Sequence, residues 1–229
     1  VWSFTTLGDI AVTDPNLVGW WTFEEGEGTR IIDFSGHGNH GTIVPGTGGT
    51  VQWAEGLFNL ALQFLGDDRG HVDLPARIVT PAKGSVVMWI NTTQGNAAND
   101  DEGMLWYGTA AGGDGYTNTD NEMHLNVDDR GEGELDFFLG GGSGVTITGP
   151  RVGGTGWTHV AATWDLTDGV RMYVNGVQVG SAAHTGLNTN LAIIRLGRPV
   201  ATGSGNRYYA GLMDDVRLFN HAISAAKVA

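Results

Sequence analysis

The sequence predicts an all-β fold, two antiparallel sheets packed face to face. Helical periodicity is almost absent. Short β-rich runs recur along the whole chain, separated by Gly, Asn and Asp. The 38 glycines follow no three-residue period, so they read as tight turns between many strands and not as collagen. No strand–helix–strand alternation argues for a parallel sheet. A chain of 229 residues suits one core, and one β-sandwich of that size is ordinary.

The runs can be placed in order. Gly19 to Phe23 reads as a strand, and Leu60 to Leu65 and His71 to Leu74 flank an acidic turn. In Gly84 to Asn91, Val86, Met88 and Ile90 face one way, Val87 and Trp89 the other. Met104 to Tyr107, Glu122 to Val127, Glu134 to Leu139, Val145 to Thr148 and Trp157 to Asp165 follow. Residues 169–180 form the clearest unit, a hairpin whose Asn175-Gly176 pair accepts the positive φ angles of a type I′ turn. Leu191 to Leu196 and Tyr208 to Phe219 complete the strands, and Ser224 can cap a short C-terminal helix. Trp20, Trp21, Trp89, Trp157 and Trp164 lie on these runs and are expected in the core. Gln94 to Asn121, rich in Gly, Asn and Asp, reads as a long loop, either functional or disordered.

Composition excludes several functions. With no Cys there is no disulfide, thiol chemistry or cysteine-bound zinc, and a bound metal is one alternative staple. Twelve Lys and Arg stand against 25 Asp and Glu, a net charge of −13, which repels nucleic acid and attracts cations. No stretch is apolar enough to span a membrane, and no signal peptide is visible ahead of Val1. The seven His are scattered, and neither a zinc-binding His pair nor a nucleophile elbow occurs.

Five motifs occur in an order that resembles the laminin-G-like, concanavalin A-like jelly rolls of bacterial extracellular proteins. They are Leu17 to Gly26, Asp33 to Gly41, Ala61 to Pro75, Trp157 to Gly176 and Gly211 to Ser224. The resemblance runs from Leu17 to the end. It implies a two-sheet antiparallel jelly roll, a structural calcium ion joining the first loop to the last strand, and roles in sugar binding or adhesion. Val1 to Thr6 resembles the last strand of a fibronectin-type repeat of large bacterial surface proteins. Residues 1–16 then read as the end of a preceding repeat and a linker, and 17–229 as the jelly-roll domain. Neighbouring domains of the same polypeptide are expected partners, in a secreted or cell-surface bacterial protein.

Calcium takes six to eight oxygens, and the glycine-rich loop from Asp33 to Gly41 suits it. Asp33 and Asn39 are candidate side-chain ligands, with Ser35 and His37 as carbonyl candidates. Strict alternation on the last strand puts Asp214 among Leu212, Val216 and Leu218, where a carboxylate needs a partner or a metal. Asp215 completes the candidate set, with Arg217 as an ion-pair partner on its own face. Without a cation, Asp33 and Asn39 would form an Asx-type turn.

For a glycan, the candidates are Trp106, Tyr107, Tyr116, Asp120 and His124, an aromatic and polar set beside the long loop. Tyr208 and Tyr209, beside Arg207, are a second possibility. Laminarinase-type hydrolases on this scaffold carry a Glu-x-Asp-x-x-Glu strand. Glu134 and Asp136 match its start, but Gly140 stands at the same-face position where the acid/base is needed. The expectation is therefore a non-catalytic, calcium-stabilised carbohydrate-binding module. A protein-adhesion module is the alternative, and a glycoside hydrolase is disfavoured.

Overall fold

The computed structural model describes residues 14–66, 70–76, 78–92, 102–108, 123–128, 133–140, 144–184, 193–198 and 208–228. Strands account for nearly all its regular structure. They are β1 (Leu17–Trp21), β2 (Arg30–Ile31), β3 (Gly41–Val44), β4 (Gln52–Glu55), β5 (Leu60–Leu65), β6 (His71–Leu74), β7 (Lys83–Thr92) and β8 (Glu102–Gly108). After these come β9 (Met123–Asp128), β10 (Glu134–Leu139), β11 (Val145–Arg151), β12 (Thr158–Asp165), β13 (Gly169–Val174), β14 (Val177–Ala182), β15 (Ile193–Leu196) and β16 (Ala210–Phe219). One short helix, α1 (Ala225–Val228), closes the chain, its first turn anchored by Lys227 and Val228 amides donating to the Ser224 carbonyl.

Two antiparallel sheets result, as the alternation and the resemblance implied. The first runs β14-β13-β12-β7-β16-β5-β4, with β1 also paired to β16. The second runs β11-β10-β9-β8-β15-β6-β3-β2. Their facing sides form one apolar core. Val86, Met88, Ile90 and Trp164 of the first sheet meet Leu105, Leu125, Phe137 and Leu196 of the second. A smaller cluster of Leu17, Val87, Ala161, Tyr173 and Phe219 lies on the outer side of the first sheet and takes in Val228 of α1.

The hairpin forms as its turn residues require. Asn175 has φ 49° and Gly176 φ 78°, and the Asn175 side chain accepts the His159 amide at 3.0 Å. Replacing Asn175 by Ala removes that acceptor and puts a residue less tolerant of positive φ in a left-handed conformation. We expect a loss of about 1–2 kcal/mol, read as a lower urea midpoint at unchanged slope.

Three expectations need correction. Strict alternation on the last strand fails, because the pairing of β16 with β7 shifts between Asp214 and Arg217. Asp215, at φ 50°, occupies this bulge. The extra residue puts Met213 in the core together with Val216 and Leu218. Asp214, two places from Leu212, is turned to the other side of the sheet. Trp21 and Trp164 are core, whereas Trp20, Trp89 and Trp157 are only half-buried. Short strands β2, β3 and β4 also lie in segments where the alternation was too brief to mark them. Of the expected linker, the described part is a turn: the Asn16 amide donates to the Asp14 side chain and the Leu17 amide to the Asp14 carbonyl. Asp14 also pairs with Lys227 of α1.

Candidate functional site

Two places concentrate polar groups. The first is the bulge of β16, where β5 and β1 dock on the same side of the strand, at residues 210–213 and 216–219. Asp214 is 0 % exposed. One of its oxygens, Oδ2, accepts the amides of Leu57 (2.9 Å) and Phe58 (3.0 Å), from the turn between β4 and β5. Its Oδ1 is buried with no hydrogen-bond partner. Glu24 holds the same turn, accepting from the Leu60 amide and the Asn59 side chain. Burial pushes the Asp214 carboxyl up to about 6 against the two amides, and the negative charges of Asp215 and Glu24 add to the rise. Gly56 lets this turn close, since a β-carbon there would lie 2.4 Å from the Leu60 carbonyl oxygen.

The sequence-predicted loop residues do different work. Asp33 accepts four donors: the Trp20 and Ser35 amides on Oδ1 and the Ser35 hydroxyl and Asn39 amide on Oδ2, all at 2.8–2.9 Å. Burial raises the Asp33 carboxyl, but the hydrogen bonds from Ser35, Trp20 and Asn39 together outweigh it and hold it below its usual range. Ser35 Oγ also lies 3.3 Å from His37 Nδ1. The Asn39 side chain donates to the Val18 carbonyl, and its own carbonyl accepts the Trp21 indole. This is the Asx-type arrangement, and it fastens the loop to β1. Asp215 pairs with Arg217 (2.7 Å) and accepts the Trp20 indole N–H (2.6 Å). Asp33 and Asp214 therefore share no donor. Among the described residues, no three His, Asp or Glu side chains converge on a metal position. Glu24 was missed because its partner turn is distant in sequence. The signal was present in the doublet Glu24-Glu25 following the first strand.

The second place is the outer face of the second sheet. Register puts Thr42, Asp73, Arg195, Trp106, His124, Phe138 and Thr146 in one row across seven strands. Beside it, Gly103, Asn126, Asp136 and Thr148 form a second row. Direct cross-strand partners share a face, so the two rows make one surface. His124 lies edge-on between Trp106 (4.1 Å between ring centres) and Phe138 (4.7 Å). Arg195 and Asp73 are joined at 2.8 Å, with His71 Nε2 at 3.3 Å from the same carboxylate oxygen. Burial raises the Asp73 carboxyl, but the His71 and Arg195 contacts more than offset this and lower it. Trp106 (1 % exposed) folds its indole over Gly103, where a β-carbon would stand 1.7 Å from Nε1. That Nε1 has no hydrogen-bond partner, nor has Oδ1 of Asn126 (2 % exposed), nor the buried Oε2 of Glu134.

Of the predicted glycan residues, Trp106 and His124 are thus brought together. Tyr107 is not with them: it points into the core and donates to the Val79 carbonyl at 3.0 Å. Tyr116 and Asp120 lie outside the described residues. Tyr209 is also core, its hydroxyl on the Leu212 carbonyl. Glu134 and Asp136 share the outer face with Phe138, and Gly140 follows as the fourth residue on that face. Asn126, Phe138 and Arg195 were missed because pairing between distant strands brings them to Trp106.

Among solved structures, domain 4 of AbnA, an extracellular arabinanase from Geobacillus stearothermophilus in complex with arabinotriose, superposes with a TM-score of 0.68 at 21% identity, over 93% of this chain and 96% of that one. The binding domain of Paraclostridial Mosquitocidal Protein 1 gives 0.68 at 17% identity, over 93% of this chain and 51% of that one. Trypanosoma rangeli sialidase gives 0.69 at 13%, over 95% of this chain and 32% of that one. This chain thus spans about half of the second and about a third of the third, and at these identities the likeness shows the fold. Among curated protein sequences nothing matches. A family model described as the concanavalin A-like lectin/glucanases superfamily matches residues 66–229, most of the chain. With the two-sheet jelly roll and the motif order already described, that match establishes that the chain belongs to the laminin G-like group of the concanavalin A-like lectin/glucanase superfamily.

Proposed function

We propose that this is a non-catalytic carbohydrate-binding module of a secreted or surface protein, and that it binds glycan on the outer face of the second sheet. The observation that carries the reading is the pairing of aromatic rings with orphaned polar atoms. Trp106 Nε1 and Asn126 Oδ1 are buried, close by register through Gly103, and unpartnered. A sugar hydroxyl both donates and accepts, so one admitted by a turn of the Trp106 or Asn126 side chain would satisfy both, while Phe138 offers an apolar ring to a sugar face. The arabinotriose complex of the AbnA domain lends support from a relative of similar size. For catalysis the face offers Glu134 and Asp136 but no acid at Gly140, so protonation of a leaving oxygen has no donor there.

The test is affinity electrophoresis on soluble polysaccharides with three proteins: wild type, Phe138→Ala and Asn126→Ala. Phe138 is half-buried, so its truncation leaves the core intact. Asn126→Ala removes an unsatisfied acceptor and should stay within about 1 kcal/mol of wild-type stability. Both are expected to weaken retardation at least tenfold. Unchanged retardation of both folded variants would remove the site from this face.

We further propose that a structural calcium ion sits at the β16 bulge, held by Asp214 and Glu24 and by neutral oxygens of the 56–60 turn. The orphaned, fully buried Asp214 Oδ1 fits a cation, and neither carboxylate has an ion-pair partner among the described residues. The ion would supply positive charge that joins the first loop, the turn and the last strand. Asp33 would then act as organiser of its own loop.

A protein-adhesion role draws on one observation. Phe34 (45 % exposed) and Phe58 (41 % exposed) stand edge-on to the half-buried Trp20 and Trp89. Binding to no glycan, together with capture of a neighbouring domain of the same polypeptide, would favour that reading.

A further inference from the structure

Building on the glycan-binding reading of the second sheet, we propose that this face accepts only glycans without negative charge, neutral or amine-bearing, and excludes uronic and sialic acids. The argument is a count of donors and acceptors. The centre of the face presents Asn126 Oδ1 and Glu134 Oε2, both buried acceptors with nothing donating to them. Among the described residues, the Trp106 indole adds an orphaned donor, Nε1, beside them. A carboxylate has acceptors only. Placed here it would leave both oxygens unsatisfied and would face the Glu134 and Asp136 carboxylates. Burying a charge without a partner costs several kcal/mol.

The described arginines of the face do not reverse this: Arg30, paired with Thr42, stands on β2 at the far end of the row, four strands from Trp106. Arg195 is held by Asp73 at 2.8 Å. Arg151 lies on the exposed end of edge strand β11, in register with Glu134, and its Nε donates to the Gly153 carbonyl. Hydroxyl and ammonium groups, in contrast, donate to what the face leaves open. The chain's net charge of −13 repels polyanions from farther away, but salt screens that contribution and does not screen the local one.

The experiment uses the whole chain and a matched pair of polymers. Dextran, arabinan, xylan and chitosan oligosaccharides are first compared with polygalacturonate and polysialic acid by affinity electrophoresis. The neutral polymer that binds is then carboxymethylated in one sample and hydroxyethylated in another, which alters bulk similarly but charge differently. Carboxymethylation is expected to weaken binding at least tenfold relative to hydroxyethylation. The ratio should persist at about 0.5 M salt, where the screening length falls to roughly 4 Å. Glu134→Gln removes the charge and keeps an acceptor, so it should narrow the ratio at least threefold. If the carboxymethyl polymer binds as well as the hydroxyethyl one, or an acidic glycan binds best, the charge selectivity is overturned and the glycan site survives. If no polymer binds, the site itself is overturned and the selectivity with it.

Discussion

Saturating calcium is expected to raise the melting temperature of the wild-type chain by about 5–10 °C over chelator, and Asp214→Asn is expected to abolish the difference. An ion at a hundred times its dissociation constant adds about 2.7 kcal/mol, and each kcal/mol moves a domain of this size by about 2–4 °C. Asp214 is the residue to change because one of its oxygens is buried without a partner. In chelator the same variant should be more stable than wild type near pH 7, because it keeps the shape and removes the charge. The pH dependence of that gain follows from the carboxyl's position. Its pKa is about 6 in the folded chain, against 3.8 for an ordinary Asp. The folded state therefore holds this proton more tightly than the unfolded one. The resulting stability is complete below about pH 4 and is lost as pH rises through 6. A shift of this size corresponds to about 3 kcal/mol. Melting curves of both proteins in chelator from pH 4 to 7.5 should converge at the acid end and separate above pH 6. Parallel curves, or a calcium increment that survives in Asp214→Asn, would place the ion elsewhere or nowhere.

Trp164→Ala should lower stability by about 3–5 kcal/mol, the largest loss expected from a single truncation in this core. The indole is fully buried between the sheets, 6.3 Å from the Phe137 ring of the opposite one. It covers Gly84 on the neighbouring strand, where a β-carbon would come within 2.3 Å of the ring. Its Nε1 donates to the Thr80 carbonyl at 2.8 Å. Truncation therefore opens a cavity and orphans a carbonyl. Trp164→Phe fills most of the space but still loses that donor, so about 1–3 kcal/mol should remain lost. Urea denaturation of the two variants separates the contributions. Equal losses for both would assign the whole effect to the hydrogen bond.

Much of this architecture could be read along the chain because its signals are local. The strands at 60–65, 71–74 and 134–139 lie where alternation and flanking turns put them, and the Asn175-Gly176 turn adopts the positive φ values its residues favour. Local signals fail where one extra residue alters the phase. The bulge at Asp215 moved Asp214 to the opposite side of the sheet from the one strict alternation assigned. The face proposed for glycan was half legible for a related reason. Trp106 and His124 were visible as an aromatic and a polar residue near a long loop. Arg195, Asn126 and Phe138 join them through pairings between distant segments, and periodicity within one strand carries no information about such register. The loop at 33–39 reads in sequence as a source of calcium ligands or an Asx-type turn, and only its hydrogen bonds reveal that Asp33 is occupied by amides from its own neighbourhood.

The position of β16 sets the order in which the molecule can be assembled. The strand lies between β7 on one side and β5 and β1 on the other, yet it follows all three of them in sequence. Until residues 210–219 are in place, the first sheet exists as three unjoined parts, β14-β13-β12-β7, β5-β4 and β1, with open edges, a state prone to pairing with other chains. Closure must then wait for β16, so a chain cut before Ala210 should remain protease-sensitive while one that includes Phe219 becomes resistant.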